Sequence, residues 1–148
     1  MRRSTLILGL GAVCMLAPAS LSGAATSSTT WTAALSSGQE VPRQAVKNTA
    51  ARGLFKGTLS GNSLRWKLTY SHLTGPAMQA HIHVGAKGKS GPVVVPLCGG
   101  TPACKSGISG TAKLAPQLLA QFKSHLLYVN VHTAKNPNGE IRGQLARG

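Results

Sequence analysis

Acidic residues are nearly missing from this chain of 148 residues. There is no aspartate, and Glu40 and Glu140 stand against 16 lysines and arginines. A Ser-His-Asp set built on aspartate is therefore excluded. Paired carboxylates for acid–base work exist only if Glu40 meets Glu140 in the fold. No phosphate loop or dinucleotide fingerprint occurs. Whether the chain is an enzyme stays open, with a binding protein the better expectation. Aromatics are few, two each of Trp, Tyr and Phe. Trp66 and Tyr70 fall in core phase, leaving little to stack on bases, so specific nucleic-acid binding is not expected. Apolar runs are short. The stretch from Thr5 to Ala17 falls below the roughly 20 residues needed to span a bilayer, and no other run is a better candidate for a transmembrane segment.

That stretch reads instead as the core of a signal peptide. Arg2 and Arg3 precede it, Pro18 breaks it, and Ser22-Gly23-Ala24 offers small residues for cleavage. Residues 1–24 are expected to be removed and the protein exported, to the periplasm, the cell envelope or beyond. Thr5 sits poorly in a twin-arginine signal, and Gly11-Ala12-Val13 before Cys14 lacks a lipoprotein pattern. Residues 25–30 (ATSSTT) are expected to form a flexible polar leader, with one domain over 31–146. Loss of Arg2 and Arg3 leaves 14 basic residues against two acidic ones, a net charge near +12. The basic residues are scattered singly. They favour anionic partners, such as envelope polymers or an extracellular protein, and say nothing of fold.

Cysteine is scarce too, and outside the cytoplasm the two that survive export, Cys98 and Cys104, are expected to form a disulfide. Between the turn signals the periodicity is two. Leu64, Trp66, Leu68 and Tyr70 alternate with Arg65, Lys67 and Thr69, and Gly61-Asn62 joins this strand to Leu54–Leu59 as a hairpin. Further strands are expected around 78–84, 93–95, 107–114, 127–132 and 141–145. One short helix is expected near 115–124, opened by Pro116. The fold class is all-β: an antiparallel β-sandwich or small Greek-key barrel.

Strand parity carries the functional reading. With Met78, Ala80 and Ile82 in the core, His81 and His83 share the opposite face. With Leu127, Val129 and Val131 inside, Tyr128, Asn130 and His132 face outward, as do Glu140, Arg142 and Gln144 on the last strand. Two histidines at i and i+2 stand about 6–7 Å apart, so His81, His83 and a neighbouring His132 can converge on one ion. Imidazole suits Zn or Cu. Glu140 is a candidate fourth ligand, with Tyr128, Asn130 and Arg142 as residues that orient the rings. An ordinary hydrogen-bonded histidine face is the alternative and stays open at this point. The segments Ile82–Gly91 and Val131–Gly139 echo one another: strand, histidine, Ala-Lys, glycine.

Leu35–Pro42, His81-Ile82-His83, Gly91–Val94, and above all Tyr128–Thr133 followed by Pro137–Gln144 resemble the CHRD domain, from about Trp31 to Leu145. That module is repeated in chordin and occurs singly in exported bacterial proteins. The resemblance implies an extracellular β-sheet domain and little about activity. Cys98 and Cys104 are no part of the family pattern. The His81-Ile82-His83 strand also looks like the copper-ligand strand of copper-zinc superoxide dismutases, whose zinc site needs an aspartate that this chain lacks. Two readings follow: an exported module binding Cu or Zn through three histidines, or a metal-free cationic module for anionic partners.

Overall fold

The computed structural model describes residues 27–43, 46–101 and 103–148. The expected signal peptide and Cys14 lie outside the described residues. Among the described residues, alternating apolar residues and tight turns produce nine strands: β1 (Ser28–Ser36), β2 (Arg52–Ser60), β3 (Ser63–Ser71), β4 (Ala77–Val84), β5 (Val93–Cys98), β6 (Ile108–Lys113), β7 (Leu127–Thr133), β8 (Ile141–Gln144) and β9 (Ala146–Arg147). A 3-10 turn (Ser37–Gln39) follows β1, and one helix, α1 (Pro116–Lys123), carries proline in its first turn. Residues 28–30, expected within the flexible leader, lie in β1. Ser28, Thr29 and Thr30 pair with Ser60, Leu59 and Thr58, because β2 is long enough to extend β1 past Trp31.

All strands belong to one antiparallel sheet in the order β5-β4-β7-β8-β1-β2-β3-β6, with β9 beside β1. Of the two expected architectures this is the barrel, nearly closed. The sheet curls until its end strands β5 and β6 approach each other. A disulfide joins Cys98, at the end of β5, to Cys104, ahead of β6. Inside lie Leu35, Phe55, Leu64, Leu68, Ile82, Val129, Val131 and Ile141, all essentially inaccessible. Phe122 of α1 packs edge-on against Trp31 at 5.3 Å. Burying such side chains contributes about 1.5–3 kcal/mol each.

One core assignment fails. Met78 is 56 % exposed, although its phase matches Ala80 and Ile82. The register of β4 against β7 shifts between Ala77 and Gln79. A bulge adds one residue to a strand and breaks strict alternation at that point.

Candidate metal centre

From Ala80 onward the parity of β4 holds. Ala80 and Ile82 are fully buried in the core, so His81 and His83 project from the outer face. In the adjacent β7, Val129 and Val131 point inward and Tyr128, Asn130 and His132 outward. The register sets His81 opposite Asn130, His83 opposite Tyr128 and Gln79 opposite His132. On the other side of β7, Arg142 lies opposite Asn130.

The structure brings three of the sequence-designated residues together. His81, His83 and His132 each offer one ring nitrogen, and these atoms lie within 4.8 Å of one another. Ring centroids stand 5.1 to 5.9 Å apart. An ion about 2.1 Å from each nitrogen needs them roughly 3–4 Å apart, close to the spacing found here.

Backbone carbonyls decide the tautomers. His83 Nδ1 lies 3.0 Å from the Gly91 carbonyl oxygen, and His132 Nδ1 lies 2.9 Å from that of Pro137. A carbonyl only accepts, so each Nδ1 carries the hydrogen and each Nε2 presents a lone pair. Metal-binding histidines are commonly oriented this way. His83 Nε2 is buried with no hydrogen-bond partner among the described residues. His132 Nε2 faces His81 Nδ1 at 3.3 Å. The echoed segments thus share a device, since each histidine ties down the loop that follows its own strand.

Electrostatics keep the rings neutral. Burial, then the nearby His132 and His83, hold the His81 pKa down at about 4. Burial lowers His83 and His132 as well, against the opposing effect of their carbonyl bonds. Neutral imidazole is the form that binds a metal.

Tyr128 and Arg142 buttress His83. The Tyr128 ring stacks on it at 4.8 Å and 10°, and the Arg142 guanidinium carbon sits 3.4 Å from the Tyr128 centroid. Arg142 Nη2 donates to the carbonyls of Lys89 (2.7 Å) and Ala86 (3.3 Å), and the Gly91 N–H donates to the Tyr128 hydroxyl. Together they press the loop after β4 onto His83. Asn130 serves a different partner: its Nδ2 donates to Glu40 Oε2 at 3.1 Å.

Glu140 does not join the histidines. It is fully buried and accepts hydrogen bonds from the Thr74 N–H (2.6 Å) and from the side chains of Thr74 (2.7 Å), Thr133 (2.6 Å), Asn136 (3.1 Å) and Asn48 (3.2 Å). It precedes β8 and follows Gly139, whose φ is 129°, so the alternation of β8 does not extend to it. Burial acts to raise its pKa, but the bonds from Thr133, Thr74 and Asn136 outweigh it and hold the carboxyl below its usual value. Its role is to knit the turn before β8 to the segments at 48 and 74.

Glu40 is the polar residue that strand parity could not place, since it lies in the loop after β1. It is 3 % exposed. Burial raises its pKa to about 7, against the lowering effects of Asn130, Arg142 and the Val41 backbone. No hydrogen bond joins it to Glu140 among the described residues. His72 and His125 stand apart from the cluster, and His125 packs beside Trp31.

The CHRD domain model matches residues 31–145. No curated protein and no solved structure matches the chain. The matched span takes in β1 from Trp31 onward and all of β2 to β8, the three histidines and both glutamates, and the chain belongs to the CHRD domain family.

Proposed function

We propose that this CHRD domain is an exported binding module that holds one Cu or Zn ion on His81, His83 and His132. The observation that carries the reading is the meeting of three ring nitrogens within 4.8 Å, two of them on rings whose other nitrogen is tied to a carbonyl. Three neutral imidazoles with no carboxylate among them suit Zn or Cu and leave a coordination position free. The extracellular character of the family and the Cys98–Cys104 disulfide support export. Among the described residues no helix is long and apolar enough to cross a membrane.

Calorimetric titration of the exported protein with Cu(II) and with Zn(II) tests the reading. We expect one ion per chain at about micromolar Kd or tighter, abolished by joint His81→Ala, His83→Ala and His132→Ala changes. Binding that survives the triple change, or no binding by the native chain, ends the idea. Circular dichroism of the variant checks that the sheet persists.

A second reading has its own observation. Both acidic residues are buried, so among the described residues no carboxylate side chain reaches the exterior. Strand pairing also sets Lys56 directly opposite Lys67, with Arg65 on the same strand as Lys67. All three are exposed. That face suits an anionic envelope polymer or extracellular partner.

A further inference from the structure

Four buried side-chain polar atoms lack a hydrogen-bond partner among the described residues: Trp31 Nε1, Glu40 Oε1, His83 Nε2 and Asn130 Oδ1. Three of the four belong to residues lining one cavity of about 320 Å³ outside the barrel. It lies beneath the loop after β1, beside the histidines. Native proteins leave few buried polar atoms unpaired, each at a cost of about 1–3 kcal/mol. A convergence of this kind marks the place of an absent partner.

With Glu40 ionised, the three atoms are all acceptors. Asn130 directs its amide nitrogen to Glu40 Oε2, so its oxygen is left over. His83 gives its Nδ1 hydrogen to Gly91, so Nε2 is a lone pair. Glu40 Oε1 is a carboxyl oxygen. An anion facing these acceptors meets lone pairs. A metal ion is better held by the three converging imidazoles than here, where the Arg142 guanidinium shares the lining. What fits is a neutral group that donates to the acceptors and accepts from Arg142, which is the chemistry of a hydroxyl.

We infer that this cavity is a carbohydrate site, in which Glu40 and Asn130 accept hydrogen bonds from the hydroxyls of one sugar ring. Its size is at the small end of the range for small-ligand sites, enough for a single ring. Val41 and Pro42 supply an apolar edge for the ring's C–H face, and exposed Asn138 and Ser90 stand at the mouth. The backbone respects the space. A side chain at Gly139 would bring its Cβ to 2.5 Å from Asn130 Oδ1 and 2.7 Å from Glu40 Oε2. His83 borders both this cavity and the histidine cluster. The inference needs only Glu40 and Asn130, so it holds whether or not the histidines take an ion.

The test is amide NMR of the exported protein in excess chelator, titrated with glucose, mannose and N-acetylglucosamine, with glycerol as the control. At least one sugar should shift the amides of Glu40, Gly91 and Gly139 saturably, with a Kd of about 1–10 mM. Glu40→Gln should weaken it by about 10-fold, and Ser90→Trp, which plugs the exposed mouth, should abolish it. An oligosaccharide that binds at least as well as its monomer identifies a polymer end as the natural ligand; preference for the monomer identifies a free sugar. No saturable shift by about 100 mM sugar, an equal response to glycerol, or shifts unchanged in both variants would leave a water-filled cavity and overturn the inference. Because chelator is present throughout, the outcome is independent of the metal titration.

Discussion

At the scale of single residues, two glutamates in one protein are tuned in opposite directions. Glu140 is buried among five donors and held ionised; Glu40 is buried with one side-chain donor and held toward its neutral form. For Glu40 the folded-state pKa of about 7 lies above the ordinary 4.5. Its contribution is therefore most favourable below about pH 4.5 and is lost as pH rises through 7, an effect of up to about 3 kcal/mol. We expect Glu40→Gln to gain roughly that much stability relative to the native chain between pH 4.5 and 8, read by chemical denaturation at each pH. A constant difference across that range would show that Glu40 titrates normally. The histidines bias stability in the opposite sense, since their lowered pKa values favour high pH, so the comparison must be native against variant. The histidine face was legible in the sequence because parity is a local rule and β4 and β7 obey it from Ala80 onward. Glu140 was misread because it sits just outside β8, where a left-handed glycine redirects the chain. Glu40 was illegible as a site residue because nothing local says where a loop will fold back.

At the scale of elements, turn chemistry and alternation located the strands well. Gly61-Asn62 closes a hairpin with Ser60 opposite Ser63, and Pro116 opens α1. The bulge in β4 escaped notice, since Ala77–Val84 reads as clean alternation and only the partner strand reveals the extra residue. The disulfide belongs to this scale as well. It closes a separation of six residues where β5 ends and before β6 begins, at the seam of the barrel. A loop so short contributes about 2 kcal/mol through chain entropy. Replacing Cys98 and Cys104 together by serine should lower the unfolding free energy by about that amount while leaving metal stoichiometry unchanged, because neither cysteine lies in the histidine cluster. Loss of ion binding in a folded double variant would show that the seam also shapes the centre.

At the scale of the whole molecule, the basic residues look scattered in sequence but are gathered by topology. Pairing of β2 with β3 sets Lys56 across from Lys67 and Arg65 across from Thr58, on the outward face of the sheet. No local rule foretells such pairings, because strand order is set by long-range packing; the closure of β1 against β8 is a further case. Like charges directly opposed on a sheet destabilise it by about 0.2–1 kcal/mol, and among the described residues no side-chain carboxylate lies at the surface to offset them. A cost retained in a folded sheet is explained if the charge serves a partner. Lys56→Glu should therefore do two things at once. It should raise the unfolding free energy by up to about 1 kcal/mol, by turning a repulsive cross-strand pair into an attractive one. It should also weaken binding to a sulfated polysaccharide. Native affinity for that polymer should fall steeply as salt rises from about 50 mM to 0.5 M, over which the Debye length contracts from about 14 Å to 4 Å. A variant that gains stability and keeps full polymer affinity, or a native protein whose affinity ignores salt, would detach the charge from any polyanion and leave the histidine cluster and its neighbouring cavity as the functional centre of the domain.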